Sequence, residues 1–207
     1  MPCATRAAVT LPPATTVEGY VCRLLINEVP FPGERGYKSE EDTMLAMEGL
    51  LGVLDARLNH IPPGYTQQQV AAVRADDVID IITAGGEKGQ FDGFYRDDAG
   101  RPVMVPRVGE RIDNLIEIAS RGKPGKFARL LNHAAELARG YVTGSVAYHE
   151  PHEDVLNVNG VAATGRAYSW MTDEPQYSPG GNFLRIPDDE EGSLGGNRFF
   201  TLRKEPR

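Results

Sequence analysis

Between Ser39 and Leu58 the chain carries its strongest helix signal, and any fold has to accommodate it. Ser39 is a natural cap, and Asp42 follows three positions later in a capping-box arrangement. Met44, Leu45, Met47, Leu50, Leu51, Val53, Leu54 and Leu58 then form a broad apolar stripe, which ends at Ile61-Pro62-Pro63-Gly64. A second apolar helix precedes this one. It starts near Thr16 and runs VEGYVCRLLINE, with Tyr20, Leu24 and Asn27 on one face and Val21, Leu25 and Glu28 on the next. Pro30 and Pro32 stop it, because proline lacks an N–H and restrains the residue before it. One carboxylate, Glu28, therefore stands where an apolar helix must end, and another, Glu34, follows in the loop FPGERGYK.

Downstream, Thr66 with Gln69 repeats the capping signal and predicts a helix through VAAVRADDVIDIITA that closes at Gly85–Gly86. GGEKGQFDGFYRDDAGRP reads as a loop. Two further helices are expected. One runs from about Pro106 to Ser120, with Val108, Ile112, Leu115, Ile116 and Ala119 inward. The other runs from Gly125 to Arg139, with Phe127, Leu130, Leu131, Ala134 and Leu137 inward. After Gly144 glycine, proline and acidic residues rise, and GRAYSW, GNFLRI and NRFFTLRK suggest irregular β-structure packed on the helical body. The expectation is a mainly α (α+β) fold. Residues 1–16 form a flexible tail, and residues 17–207 one domain, helical over about 17–142 and β- and loop-rich over about 145–205.

A chain of 207 residues can bury a core without metal or disulfide support. The net charge of −7 argues against nucleic-acid binding. It says little against a neutral or mixed-charge polymer. The two cysteines, Cys3 and Cys22, allow one bridge but no disulfide framework. No apolar run approaches the roughly 20 residues that span a bilayer. MPCATRAAVTLPPATT is a poor secretory signal, so the expectation is work in the cytosol or export by a route that reads no such signal.

The sequence lacks GxGxxG, GxxxxGK[ST], CxxC, HExxH and GxSxG, which leaves nucleotide binding and nucleophilic hydrolysis without support, and no cofactor or metal is expected. HEPHED, at 149–154, has metal-compatible spacing but reads as a solvated loop. Carboxylate chemistry remains. At a helix end Glu28 can leave the helix surface for a cleft while apolar neighbours desolvate it. Desolvation keeps a carboxylic acid protonated and suits it to donate a proton to a leaving oxygen. Glu34, between Gly33 and Arg35, has a solvated carboxylate or an Arg35 ion pair as its ordinary role, and glutamates end many helices without any role in chemistry.

The order of these pieces resembles the SleB-like cell wall hydrolases, relatives of lytic transglycosylases within the lysozyme-like superfamily. In that family a helix ends in a glutamate beside an A-R-G-E type sequence. An apolar helix ending in a V-L-N-R-V type motif follows, then a G-[QA]-F motif. RLLINE ending at Glu28 looks like the first element, GVLDARL (52–58) like the second, and Gly89-Gln90-Phe91 like the third. GGNRFF (195–200) is similar to the family's closing G-x-H-x-F strand, with Arg198 in place of the histidine. The interval between Glu28 and Arg57 is longer than the family's, through an apparent insertion PFPGERGYKS. Either Glu28 or Glu34 therefore corresponds to the family's acid. A rigid, partly desolvated helix end favours Glu28.

The resemblance implies a lysozyme-like fold and cleavage of the MurNAc–GlcNAc bond of peptidoglycan through a glutamate general acid, by hydrolysis or by transglycosylation. It implies that Gln90 offers its amide to sugar hydroxyls or N-acetyl groups and that Phe91 packs beneath the loop or against a sugar face; read locally, the segment is a turn with Phe91 buried and Gln90 facing solvent. Tyr95, Tyr168 and Trp170 are candidate sugar-stacking platforms, each also suited to packing. Glycosidases usually use two carboxylates, and Asp92 and Glu34 are the candidates for a second; the substrate's own 6-hydroxyl takes that role in lytic transglycosylases. A leaderless enzyme of this kind fits a phage lysin or an injected toxin acting in the periplasm or cell wall, the latter with a secretion-system carrier and an immunity protein as partners. The alternative class is a non-catalytic helical adaptor, chaperone or phage structural protein.

Overall fold

The computed structural model describes residues 9–121, 125–145, 149–172 and 178–206. Thr16 caps the first helix, α1 (Val17–Glu28), its hydroxyl accepting from the Gly19 amide at 3.0 Å. Tyr20, Val21, Cys22, Leu24, Leu25 and Ile26 are all buried, so α1 is enclosed on most of its circumference. The segment before it, expected as tail, lies against it from residue 9 onward: Leu11 is buried, and the Pro12 carbonyl accepts from Arg23 at 2.6 Å. Cys3 lies outside the described residues. Cys22 is a free, buried thiol whose pKa burial pushes up to about 12.

The second helix, α2 (Glu40–Asn59), is the core of the molecule. Met47, Leu50, Leu51, Val53 and Leu54 are fully buried, while Met44, Leu45 and Leu58 pack at the edge of the core. Ser39 caps it through the Asp42 amide at 3.0 Å, but the reciprocal half of the capping box does not form. The Asp42 carboxylate instead accepts from the Gly195 amide at 3.0 Å and ties the helix start to the C-terminal part of the chain.

Residues 66–84, expected as one helix, form two. α3 (Gln67–Ala71) has a complete Thr66/Gln69 capping box, and α4 (Val78–Thr83) is capped by Asp77. The break falls at Ala72, in the left-handed region (φ 56°). The Gln67 side chain stabilises the reversal by bonding the Ala75 amide and the Ala75 and Arg57 carbonyls. The following loop contains a short hairpin, β1 (Phe94–Arg96) with β2 (Pro102–Met104), which the glycine-rich composition concealed.

Helix α5 (Pro106–Ser120) occupies the expected range, with Val108, Ile112, Leu115 and Ala119 buried and Ile116 at the edge. Helix α6 (Lys126–Thr143) runs a turn further than expected, until Gly144 ends it in a left-handed conformation. α1 packs along α6, and α2 packs on α6, α4 and α1.

The C-terminal part is, as expected, β-structure with irregularities: small antiparallel sheets joined by turns, with a register shift between Val155 and Asn157. A hairpin of β3 (Val155–Val158) and β4 (Val161–Gly165) was not foreseen. Then β5 (Ser169–Thr172) and β6 (Phe183–Arg185) flank β8 (Asn197–Leu202), and β7 (Ser193–Leu194) pairs with β8. Every residue of β8 is buried. Phe199 sits so close to α2 that a Cβ on Gly49 would lie 3.1 Å from its ring. With about 42% helix and 17% strand, the protein is a mixed α+β fold. No helix among the described residues is long and apolar enough to cross a membrane.

Leu54 is fully enclosed, so Leu54→Ala leaves a cavity. We expect it to cost about 2–5 kcal/mol in a urea melt. A loss below about 0.5 kcal/mol, the range typical of surface substitutions, would contradict the packing of α2.

Candidate functional site

Glu28 is the last residue of α1, and two cavities meet at it. One, of about 650 Å³, is lined by Glu34, Gly36, Lys38, Arg111, Gly195 and Gly196 among others. The second, of about 600 Å³, is lined by Gly89, Gln90, Asp92, Arg107, Trp170 and Met171. Asn27, Glu28, Thr172 and Asn197 belong to both, so the cleft passes Glu28 on either side.

The Glu28 carboxyl is fixed by two donors. Trp170 Nε1 donates to Oε2 at 3.2 Å, and Asn27 Nδ2 donates to Oε1 at 3.1 Å. Burial holds its pKa above the ordinary glutamate value. The Trp170 and Asn27 hydrogen bonds and the Arg111 charge act against that shift, whereas the Asp92 charge adds to it. Asn197 Nδ2 donates to the Glu28 backbone carbonyl at 2.7 Å, docking the helix end on the start of β8.

Arg111 of α5 also holds this helix end. Its Nη1 donates to the Ile26 carbonyl at 2.8 Å and its Nη2 to the Val29 carbonyl at 3.0 Å. The proline-rich segment that follows α1 gives these groups no helical donors. The same guanidinium grips both Glu34 oxygens with its Nε–Nη2 edge, Nε to Oε1 at 3.1 Å and Nη2 to Oε2 at 2.6 Å. Glu34 Oε2 accepts from the Phe31 amide as well, at 2.7 Å. Glu34 thus lies at the cleft, and its ion-pair partner is Arg111 rather than the neighbouring Arg35.

Below the cleft lies Arg57, buried and facing carbonyl groups and aromatic rings. Nε donates to the Tyr168 carbonyl at 2.7 Å and Nη1 to Gln90 Oε1 at 2.8 Å, and the guanidinium lies over the Phe91 and Trp170 rings. Burial draws its pKa down to about 10. Phe91 stacks on Trp170 with centroids 4.9 Å apart, so the GQF segment supports the indole that holds Glu28.

The expected site residues distribute unevenly. Glu28, Glu34, Gln90 and Asp92 line the cleft. The Gln90 amide, however, is engaged by Arg57 and by the Ala71 carbonyl at 2.6 Å. Phe91 is buried beneath Trp170 rather than facing the cleft. Tyr95 lies in β1 against the core and does not line either cavity. Of the aromatic platforms, Trp170 reaches the cleft, whereas Tyr168 is buried with its hydroxyl on the His60 carbonyl.

HEPHED is a loop whose His149, Glu153 and Asp154 are exposed, as expected, but its centre is sheltered. His152 is fully buried against Phe199, with its pKa drawn down to about 4 by burial, and the sheltered Glu150 carboxyl pairs with Arg166 and is pushed up to about 7. No cluster of three metal-ligating side chains occurs among the described residues.

Sequence reasoning missed Arg111 and Asn197. Arg111 lies 82 positions from Val29, and nothing local distinguishes it from any helix-surface arginine. Asn197 could have been noticed as the position after a glycine pair in the closing strand. Searches with family models, curated proteins and solved structures return no match to this chain.

Two predictions follow from this packing. Phe91→Ala should cost about 3–5 kcal/mol, and Gln90→Ala about 1–3 kcal/mol because it strips the buried Arg57 of a partner; both are read from urea midpoints. Glu28 behaves in the opposite way. Its folded-state pKa is raised, so between the unfolded value and that raised value the native state holds more protons, and stability falls as pH rises through this window. Glu28→Gln removes that penalty. It should melt above wild type at pH 7 and lose the advantage below about pH 4, near the unfolded glutamate value; equal melting points at pH 7 would contradict the desolvated carboxyl.

Proposed function

We propose that this protein is a peptidoglycan-cleaving glycosidase of lysozyme-like ancestry, with Glu28 as general acid at the MurNAc–GlcNAc bond. The observation that carries the reading is the placing of Glu28. A carboxyl with raised proton affinity, held by Trp170 and Asn27, lies midway along a cleft that extends to both sides. A polymer cut internally needs room on both sides of the broken bond, and a leaving sugar oxygen needs a proton donor that remains protonated near neutral pH.

Each part of the surroundings has a role in this reading. Trp170 and Asn27 fix the plane of the carboxyl. Arg111 and Asn197 hold the backbone that carries it. Gly195 and Gly196 give one cleft wall without Cβ atoms, and Gly195 has no alternative, since φ is 52° and a Cβ would lie 2.6 Å from Ala46 Cβ. Backbone groups there can approach a sugar closely. Gln90 and Phe91 act through Arg57 and Trp170 rather than by direct contact. Action in the periplasm or cell wall follows from the substrate, and a protein inhibitor or carrier would have to cover this cleft.

The test is digestion of purified peptidoglycan by wild type and Glu28→Gln, with soluble fragments quantified across pH. The variant should lose at least roughly a hundredfold in rate. The wild-type alkaline limb should lie above the ordinary glutamate range, because the acid acts while protonated. Equal activity in the two proteins would remove Glu28 from the chemistry. Inactivity of wild type would favour a non-catalytic helical adaptor.

A further inference from the structure

We infer that Asp92 is the second catalytic carboxylate, activating water so that the reaction ends in hydrolysis; this rests on the glycosidase reading above. Among the described residues three carboxylates line the cleft: Glu28, Glu34 and Asp92. Glu34 is committed to structure. Both its oxygens bond Arg111, and one also accepts from the Phe31 amide, so moving it would release the carbonyl clamp at the end of α1.

Asp92 is situated differently. It shares the half of the cleft that holds Glu28 and Trp170, and its side chain is 72% exposed. Its fixed contact is Arg107 of α5, with Nη2 on Oδ2 at 2.5 Å, and this orients the carboxylate from one side. The chain around it is rigid. Phe91 is anchored under Trp170, and the Gly93 carbonyl accepts from the Val105 amide at 2.9 Å. Gly93 has φ 90°, and a Cβ there would lie 2.8 Å from Val105 Cγ2, so glycine is required for the turn that sends Phe91 inward and Asp92 outward. Asp92 is also the carboxylate whose charge is felt at Glu28, where it favours the protonated form. One carboxyl is sheltered and one is wet, within a single cavity, which is the arrangement that separates an acid from a base.

A water O–H gives its proton to the Asp92 carboxylate while the water oxygen bonds to the sugar C1. The C1–O bond to the leaving sugar breaks, its electron pair stays on that oxygen, and Glu28 protonates it. One water is added, and the two carboxyls return to their starting states by exchanging protons with solvent.

Digestion by wild type in ¹⁸O-labelled water, followed by mass spectrometry of the muropeptides, reads the outcome directly. Reducing ends carrying one ¹⁸O are expected. Unlabelled anhydro ends would overturn the role of Asp92 and leave the glycosidase reading intact. If the wild type releases no muropeptides, the glycosidase reading fails and this inference with it. Asp92→Asn, checked for an unchanged melting point, should lose at least tenfold in kcat, and a smaller loss counts against the base. Should that variant fold poorly, Asp92→Glu is compared in the same way, and the labelled-water readout on wild type needs no variant.

Discussion

A helix that runs into a proline-rich turn leaves its last carbonyls without helical donors, and such groups are costly to bury. In this chain they are answered from a distance. Arg111 reaches from α5 to the carbonyls of Ile26 and Val29, and Asn197 reaches from β8 to that of Glu28. Two elements far apart in sequence thereby converge on one helix end. The cleft is the consequence, since α1, α5 and the sheet meet there without filling the space between them. The Glu34 loop is drawn into the same arrangement, because its carboxylate completes the hydrogen bonding of Arg111.

The other constraint is a pair of sheltered ionisable groups that do not touch. Arg57 lies beneath Trp170, and Glu28 lies beyond it. Among the described residues neither group is in direct contact with an opposite charge; Arg57 relies on two oxygen acceptors and two aromatic faces, and Glu28 on two donors. Burying a charged group without an opposite charge is unfavourable even when it is hydrogen-bonded. The indole is the common element, with a cation on its face and a carboxyl on its N–H. Any shift of Trp170 would move both. A fold selected for stability alone would be better served by apolar residues at these positions, which is why the arrangement points to a site.

Much of the helical framework was legible in the sequence because its signals are local. Thr16, Ser39, Thr66 and the proline stops marked helix ends that the structure retains, and the apolar stripe of α2 is its buried face. The failures have one physical character. The break at Ala72 depends on Gln67 reaching Ala75 and Arg57, and the Asp42 carboxylate turns from its own helix to Gly195. The β3–β4 hairpin packs on β8, and His152 is buried against Phe199 and beside Gly49 of α2. These are tertiary contacts, which local propensity does not encode. Among the site residues, Glu28 was recognisable from its place before Pro30. The packing role of Gln90 was not, because read locally it is a solvent-facing turn amide and the resemblance makes it a ligand contact, and neither reading places Arg57 behind it.

The two halves of the cleft also differ in what their charges can do. On one side Arg111 and Glu34 are locked together, and Lys38 lies near Asp42 at 4.0 Å. On the other, Asp92 and Arg107 form a pair in which both side chains are more than half exposed. An exposed pair of this kind contributes little to stability, about 0–1 kcal/mol. Rearranging it when a ligand enters therefore costs little, whereas rearranging the Arg111 clamp would undo the end of α1. The pair on the Trp170 side, next to the carboxyl whose proton affinity burial raises, can therefore rearrange without disturbing the frame.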